Sequence, residues 1–231
     1  ISSFYGRIVD GIFASEAEVA NAPSQGFATN ADGVGRFRYR DINGDGTIND
    51  DDRTFIGSPH PDFTYGVNLR MAYKGFDMSA FFQGSQGNDI FNNDKVYTDF
   101  PTFFNANRSV RVLDSWTPDN LDAELPALSQ SITNNEGTAN SFFVEDGSYM
   151  RLKNLQIGYT FDEEVSSYLG MDSVRLYLQG TNLFTITGYD GVDPELQPRL
   201  DGGAIDNLTI GVSDNNYPLA AIYSFGVNLK F

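Results

Sequence analysis

The segment Tyr217–Phe231 alternates without a break, and that alternation limits what the chain can fold into more than any other feature. Every odd position is apolar or aromatic: Tyr217, Leu219, Ala221, Tyr223, Phe225, Val227, Leu229 and Phe231. The even positions, Pro218, Ala220, Ile222, Ser224, Gly226, Asn228 and Lys230, are mostly small or polar. With 40% of the chain apolar, eight fixed positions would all be apolar by chance roughly once in a thousand tries. A period of two places those side chains on one face of a strand, and the run is long for a soluble sheet.

The same period recurs upstream. Phe63, Tyr65, Val67, Leu69, Met71 and Tyr73 alternate with Thr64, Gly66, Asn68, Arg70 and Ala72. Lys74-Gly75 then offers a two-residue turn, and Phe76, Met78, Ala80 and Phe82 alternate with Asp77, Ser79, Phe81 and Gln83. Two strands joined in this way are antiparallel neighbours. Leu155, Ile157, Tyr159 and Phe161 form another run, followed after an acidic connection at about 162–172 by Val174, Leu176 and Leu178. A weaker strand, about Ser3 to Val9, opens the chain. The expectation is an all-β protein of about six antiparallel strands. The 19 Phe, 12 Tyr and 23 Gly agree with that class.

The connections are lopsided. Those at Lys74-Gly75 and at about 162–172 are short, whereas those at about 11–62, 87–148 and 188–216 are long and rich in Gly, Asn, Asp, Ser and Pro. Short and long alternate, so all the long loops are predicted to leave one edge of the sheet. That is the habit of transmembrane β-barrels, with long loops outside. The aromatics predict two girdles: Tyr73, Phe76, Tyr159, Phe161 and Phe231 at the short-turn edge, and Phe63, Tyr65, Phe82, Phe184 and Tyr217 at the long-loop edge. A secreted β-sandwich also alternates, because one face is a core. Strand length, loop asymmetry and the terminal Phe231 favour the barrel. Six strands cannot enclose a lumen, which takes about eight, so the chain reads as part of something larger.

Composition removes several functions. There is no Cys and one His, which excludes Cys- or His-rich zinc sites, disulfide frameworks and thiol catalysis. A formal charge of −16 argues against binding nucleic-acid phosphates. The chain begins Ile1-Ser2-Ser3-Phe4, with no basic or apolar leader visible, and holds no apolar run long enough for a membrane helix. That says nothing against a barrel, whose strands need only about 9–11 residues. His60 lies between Pro59 and Pro61 in a rigid turn and reads as structural rather than as a catalytic base. Asp193 and Glu195 read as solvated loop charge. Gly84-Ser85-Gln86-Gly87 lacks the strand-to-helix setting of a phosphate loop. No catalytic constellation emerges, so the chain is read as a non-enzyme.

One chemical motif stands out. Asp41-Ile42-Asn43-Gly44-Asp45-Gly46-Thr47-Ile48-Asn49-Asp50-Asp51-Asp52 follows the calcium-loop pattern D-x-[DN]-x-[DN]-G with an acid at its twelfth position. Asp41, Asn43 and Asp45 would turn oxygens inward, Gly46 would permit the sharp turn, and Thr47 would offer its carbonyl. Asn49 would bind directly or through water, and Asp52 would close the ring. Asp at the twelfth position is one methylene shorter than the usual Glu. Phe37-Arg38-Tyr39-Arg40 looks extended, so this is a calcium loop without the preceding helix of an EF-hand. Mg²⁺ is less favoured, since it wants stricter geometry and resists dehydration. The expected role is structural. The alternative is an acidic, solvated turn.

Asp41 to Gly57, DINGDGTINDDDRTFIG, running into Ser58-Pro59-His60-Pro61-Asp62-Phe63-Thr64-Tyr65-Gly66, resembles the C-terminal part of SusC/RagA-family TonB-dependent outer-membrane transporters of the Bacteroidetes. So do Tyr73-Lys74-Gly75-Phe76-Asp77, Phe81-Phe82-Gln83-Gly84-Ser85-Gln86-Gly87-Asn88-Asp89, Asp146 to Leu155, Gly180-Thr181-Asn182-Leu183-Phe184-Thr185 and Gly226-Val227-Asn228-Leu229-Lys230-Phe231. The resemblance covers nearly the whole chain. It implies a 22-strand barrel with an N-terminal plug, which imports oligosaccharides or peptides with energy delivered by TonB. It also implies a SusD-like surface lipoprotein as a lid, a lipid or lipopolysaccharide bilayer around the wall, and contact with TonB through the plug rather than through this segment. Phe231 resembles the terminal signal read by barrel-assembly machinery. The alternative function is a secreted, calcium-stabilised β-domain that binds a glycan or a protein.

Overall fold

The computed structural model describes residues 3–100, 107–129, 134–196, 200–201, 204–205, 209–214 and 216–231. The chain divides into two compact units. One is a sheet unit of Pro61–Asn88, Asp146–Glu195 and Tyr217–Phe231, and the other a loop unit of Ile1–His60, Asp89–Glu145 and Leu196–Asn216.

The sheet unit is built on five long strands: β1 (Phe63–Tyr73), β2 (Phe76–Gln86), β3 (Tyr149–Thr160), β4 (Ser173–Thr181) and β5 (Ile222–Lys230). They lie in the order β5-β4-β3-β2-β1, each antiparallel to the next, so sequence neighbours are neighbours in space. A sixth, short strand, Thr185–Thr187, pairs with the start of β3. The β1–β2 hairpin closes through Lys74 (φ 47°) and Gly75 (φ 83°), the doubly positive pair that a tight hairpin turn needs. From β3 to β4 the chain passes through a short helix, Glu163–Tyr168, whose first turn is capped by Asp162. The start of β3, the end of β4, the start of β5, and the ends of β1 and β2 opposite the hairpin all fall at the other edge in this register.

Register sorts the side chains. Across the sheet Met71 faces Met78, Met78 faces Ile157, Ile157 faces Leu178, and Leu178 faces Phe225, making one apolar face. On the other face Arg70 is opposite Ser79, Ser79 opposite Gln156, Gln156 opposite Gln179, and Gln179 opposite Ser224. Met71, Tyr73, Leu178, Tyr223, Phe225 and Phe231 are all exposed. Among the described residues of this unit no second sheet covers the apolar face, as a sandwich would require.

Four details depart from the sequence reading. β3 begins at Tyr149 rather than near Asn154, because the pairing with β2 shifts between Phe81 and Phe82, leaving Lys153 as an extra residue. Such a bulge inverts the parity that alternation relies on. The last strand starts at Ile222, not Tyr217. Pro218 has no N–H to give, and the Leu219 N–H goes to the Asp193 carboxylate, so neither joins the ladder. The opening strand is Phe4–Gly6, which pairs with Thr54–Gly57 in the loop unit and contributes nothing to the main sheet. The sixth sheet strand is instead Thr185–Thr187.

The loop unit also has its own core, which the polar composition of those segments hid. Phe37, Tyr39, Phe100 and Phe143 are buried together, with Val9, Ile12, Ile48, Phe91, Val96 and Phe142 packed around them. Phe37–Tyr39 is a strand paired with Val9–Ile12. Beside it a buried ion pair joins Arg36 to Glu136 at 3.1 Å, and Glu136 also accepts the Phe37 N–H. Burial pushes the Glu136 carboxyl up, more than the Arg36 charge and the Phe37 N–H pull it down.

Candidate functional site

Three clusters of polar side chains organise the molecule. The first lies on the polar face of β3. The bulge at Lys153 turns Arg151 to the side of Gln83, where Arg151 is buried. Its guanidinium donates to Asp193 at 2.6 Å, to Glu195 at 2.9 Å and to the Thr185 hydroxyl at 2.7 Å. Lys153 donates to both oxygens of Glu195 at 2.8 Å. The Asp193 carboxylate also accepts the N–H groups of Glu195 and Leu219. One carboxylate therefore ties together the wall, the start of the 188–216 loop and the return of that loop toward β5. Burial works to raise the Asp193 carboxyl. The Leu219 N–H, the Arg151 guanidinium and the Glu195 N–H outweigh it and hold the group below the ordinary carboxylate value. The reading of Asp193 and Glu195 as solvated charge is thus corrected: Asp193 is 6% exposed and both are paired.

The second cluster spans three strands. Arg175 on β4 grips Asp77 on β2 at 2.8 and 2.5 Å and reaches Gln156 on β3 at 3.1 Å, while Gln156 meets Gln179 at 3.2 Å. Space for the guanidinium comes from Gly158, where a Cβ would stand 2.4 Å from it. Elsewhere aromatic rings lie over cross-strand glycines: Tyr177 over Gly226 and Tyr65 over Gly84. Gly84 is thus accounted for by ring packing. His60 is exposed in its turn, its N–H donating to Ser58 Oγ at 3.3 Å.

The third cluster is the acidic loop. Asp41 accepts the N–H of Gly44 at 2.7 Å through one oxygen and that of Gly46 at 2.9 Å through the other. Asn43 accepts from Asp45, Asp45 from Thr47, and Asn49 from Asp51. Asp52 is fully buried and accepts the N–H groups of Ile42 and Asn49. Burial alone would raise its carboxyl, but those donors and the Asn43 N–H keep it low. Asn49 Nδ2 points at the Thr47 carbonyl, 3.4 Å away. The loop is pinned from outside: Ser24 bridges Gly46 and Ile48, and Arg7 bonds the Asn49 carbonyl and Asp50. Every donor it offers a cation is oxygen, the chemistry a hard divalent ion takes. Among the described residues, however, no three or more His, Cys, Asp or Glu side chains are grouped as a ready metal cage. The candidate ligands Asp41, Asn43, Asp45, Thr47, Asn49 and Asp52 share one tight turn, and their side-chain oxygens mainly accept the turn's own N–H groups.

No protein-family model matches the chain. Individual relatives do. Along its whole length it is 38% identical to TonB-dependent receptor P3 of Formosa agariphila, of which it covers 22%. Over 84% of its length it is 30% identical to TonB-dependent receptor SusC of Bacteroides thetaiotaomicron, covering 17% of that protein. A solved structure of the RagAB peptide transporter superposes on 99% of the chain and 22% of its counterpart, with a TM-score of 0.74 at 25% identity. The chain belongs to the SusC/RagA family of TonB-dependent receptors. It spans about a fifth of the length of the relatives it matches.

As a segment of such a receptor, the five-strand sheet is a stretch of transmembrane barrel wall, and its uncovered apolar face is the one that meets lipid. The two girdles can be seen on it. Phe76 packs on Tyr159 at 4.6 Å and Tyr159 on Phe161 at 5.2 Å at the short-turn edge. Phe63 packs on Tyr65 at 6.0 Å, and Phe82 on Phe184 at 6.4 Å, toward the other edge. The Arg151 and Arg175 clusters lie on the opposite face of that wall. The Arg151 cluster left no trace in the alternation, because the bulge that aims it breaks the alternation. The residue string from Asp146 to Leu155 was its only signal.

Proposed function

We propose that this chain forms part of an outer-membrane importer that takes up oligosaccharides or peptides with energy relayed by TonB. The observation that carries the proposal is the two-faced meander: a continuous lipid face backed by a polar face, with every long connection leaving one edge. The SusC and RagAB relatives support it, RagAB being a peptide importer by name. On this reading the long-loop edge is extracellular and the Lys74-Gly75 turn periplasmic. A SusD-like surface lipoprotein is the partner at the outer side, and the rest of the barrel and the plug complete the pore. TonB acts through the plug.

The acidic loop is proposed to hold one structural Ca²⁺. Asp41, Asn43, Asp45, Asp52, the Thr47 carbonyl and Asn49 would supply the oxygens, and the ion would supply charge neutralisation and a fixed turn. Asp41, Asp45 and Asp52 bring carboxylates into one tight turn, and a divalent ion would relieve their mutual repulsion. The importer reading is tested by deleting the receptor and measuring uptake of labelled oligosaccharide and peptide pools, in cells with and without TonB. Loss of one class of uptake in both mutants is expected. Recovery of the receptor in the soluble fraction, or unchanged uptake of both classes, would sink it.

A further inference from the structure

The membrane face is not uniformly ridged. Along β4 it presents Val174, Leu176 and Leu178 and then Gly180, whose cross-strand neighbours are Leu155 and Tyr223. With no side chain at Gly180 the floor drops between two raised rows, Leu155 and Ile157 on β3 and Tyr223 and Phe225 on β5. The chain then turns back through Asn182 (φ 51°) and lays Leu183 over the glycine, with its Cδ2 2.6 Å from where a Cβ would be. The result is an apolar groove of about 420 Å³, floored by Leu178 and Gly180 and closed at its long-loop end by Leu183.

We propose that this groove seats one acyl chain of a membrane lipid in the leaflet next to the long-loop edge. It is continuous with the face that lipid covers, and the proposal rests on that reading of the face. Water in the groove would find almost no polar partner, so hydrocarbon is the occupant its lining accepts. Tyr223 stands at the rim with its ring exposed, at the level where aromatic side chains meet headgroups. Between β1 and β2 the facing pairs are Met71 with Met78 and Leu69 with Ala80, which leave a surface for annular lipid to pass over.

The test uses the whole receptor in nanodiscs of phosphatidylcholine, doped with a phosphatidylcholine that carries a diazirine midway along one acyl chain. After irradiation, labelled peptides are mapped by mass spectrometry. Label is expected to concentrate on Leu178–Leu183 and Tyr223–Phe225, several-fold above Leu69–Met71. Leu178→Trp fills the groove from an exposed position, and should remove that excess while Leu69–Met71 stays labelled. Ile157→Phe is a second filling variant from the opposite side. Equal label on all rows, or an excess that survives both filling variants, overturns the seat. If no row of the wall labels at all, the membrane-face reading fails with it, and the two failures are thereby told apart.

Discussion

At the scale of single residues the decisive group is Asp193. Its carboxylate is the meeting point of a wall arginine, its own loop's backbone and the Leu219 amide. Removing Arg151 leaves that buried carboxylate without its cation, an error that costs about 3–5 kcal/mol when a buried pair is broken from one side. Arg151→Met should therefore free the roots of the 188–216 loop. Hydrogen exchange at Leu219 and Glu195 should rise by orders of magnitude while the β1–β2 hairpin keeps its protection. Unchanged exchange at Leu219 would show that the carboxylate does not hold the loop. The pH dependence follows from sign. A carboxyl whose folded pKa lies below its unfolded value contributes fully above the unfolded value, about 3.9 for Asp. That contribution fades as the pH drops through the lowered folded value. Exchange at Leu219 should accordingly stay slow at pH 5, beyond the intrinsic effect of pH, and accelerate only below the unfolded value. None of this was legible in the sequence. Asp193 sits among many loop acids, and its partner Arg151 is aimed by a bulge that interrupts the pattern.

At the scale of elements, period two carried most of the wall. β1 appears with the bounds its alternation predicts, Phe63 to Tyr73, and the turn after it is where Lys74-Gly75 placed it. Where periodicity failed, hydrogen bonding had overruled it, as at Pro218 and Leu219 before β5. The face assignment makes a direct expectation. Val227 pairs with Leu176 on the lipid face, and Asn228 with Arg175 on the polar face. Val227→Arg should cost about 2–4 kcal/mol of folding free energy near mid-membrane, and Asn228→Arg far less, read by urea unfolding of the receptor in detergent or lipid. Comparable cost at both sites would reverse the assignment. The acidic loop belongs to this scale too. That these residues form one tight turn was legible from the Asp, Asn and Gly spacing, whereas its anchorage on Ser24, Arg7 and the Ile48 packing was not, since those contacts are distant in sequence. With Ca²⁺ bound, chelator should raise protease cleavage between Gly11 and Asp62, and Asp41→Ala with Asp45→Ala should do the same without chelator. Identical cleavage with and without chelator would remove the ion from the account.

At the scale of the whole molecule, the sequence showed where the long connections lie but not that they fold. An aromatic cluster assembled from Phe37, Phe100 and Phe143 has no period to read, because its members come from segments far apart in the chain. The wall's register nonetheless fixes a topology that can be checked. The short connections, Lys74-Gly75 and the Glu163–Tyr168 helix, share one edge, so on the proposed orientation both are periplasmic. This chain contains no Cys, so a single thiol introduced into it is its one maleimide site. Gly75 itself is a poor site for the probe: its φ is positive, and a Cβ would stand 2.7 Å from the Thr160 carbonyl. Glu164, exposed on the short helix, serves that edge, and Leu113, 90% exposed, serves the 87–148 connection. A membrane-impermeant maleimide on intact cells should label Leu113→Cys and leave Glu164→Cys unreacted until the outer membrane is opened. Because each hairpin reverses direction, one inverted result inverts every connection at once. Labelling of Glu164→Cys alone would therefore place the acidic loop and the whole loop unit in the periplasm, and with them the proposed partner surface.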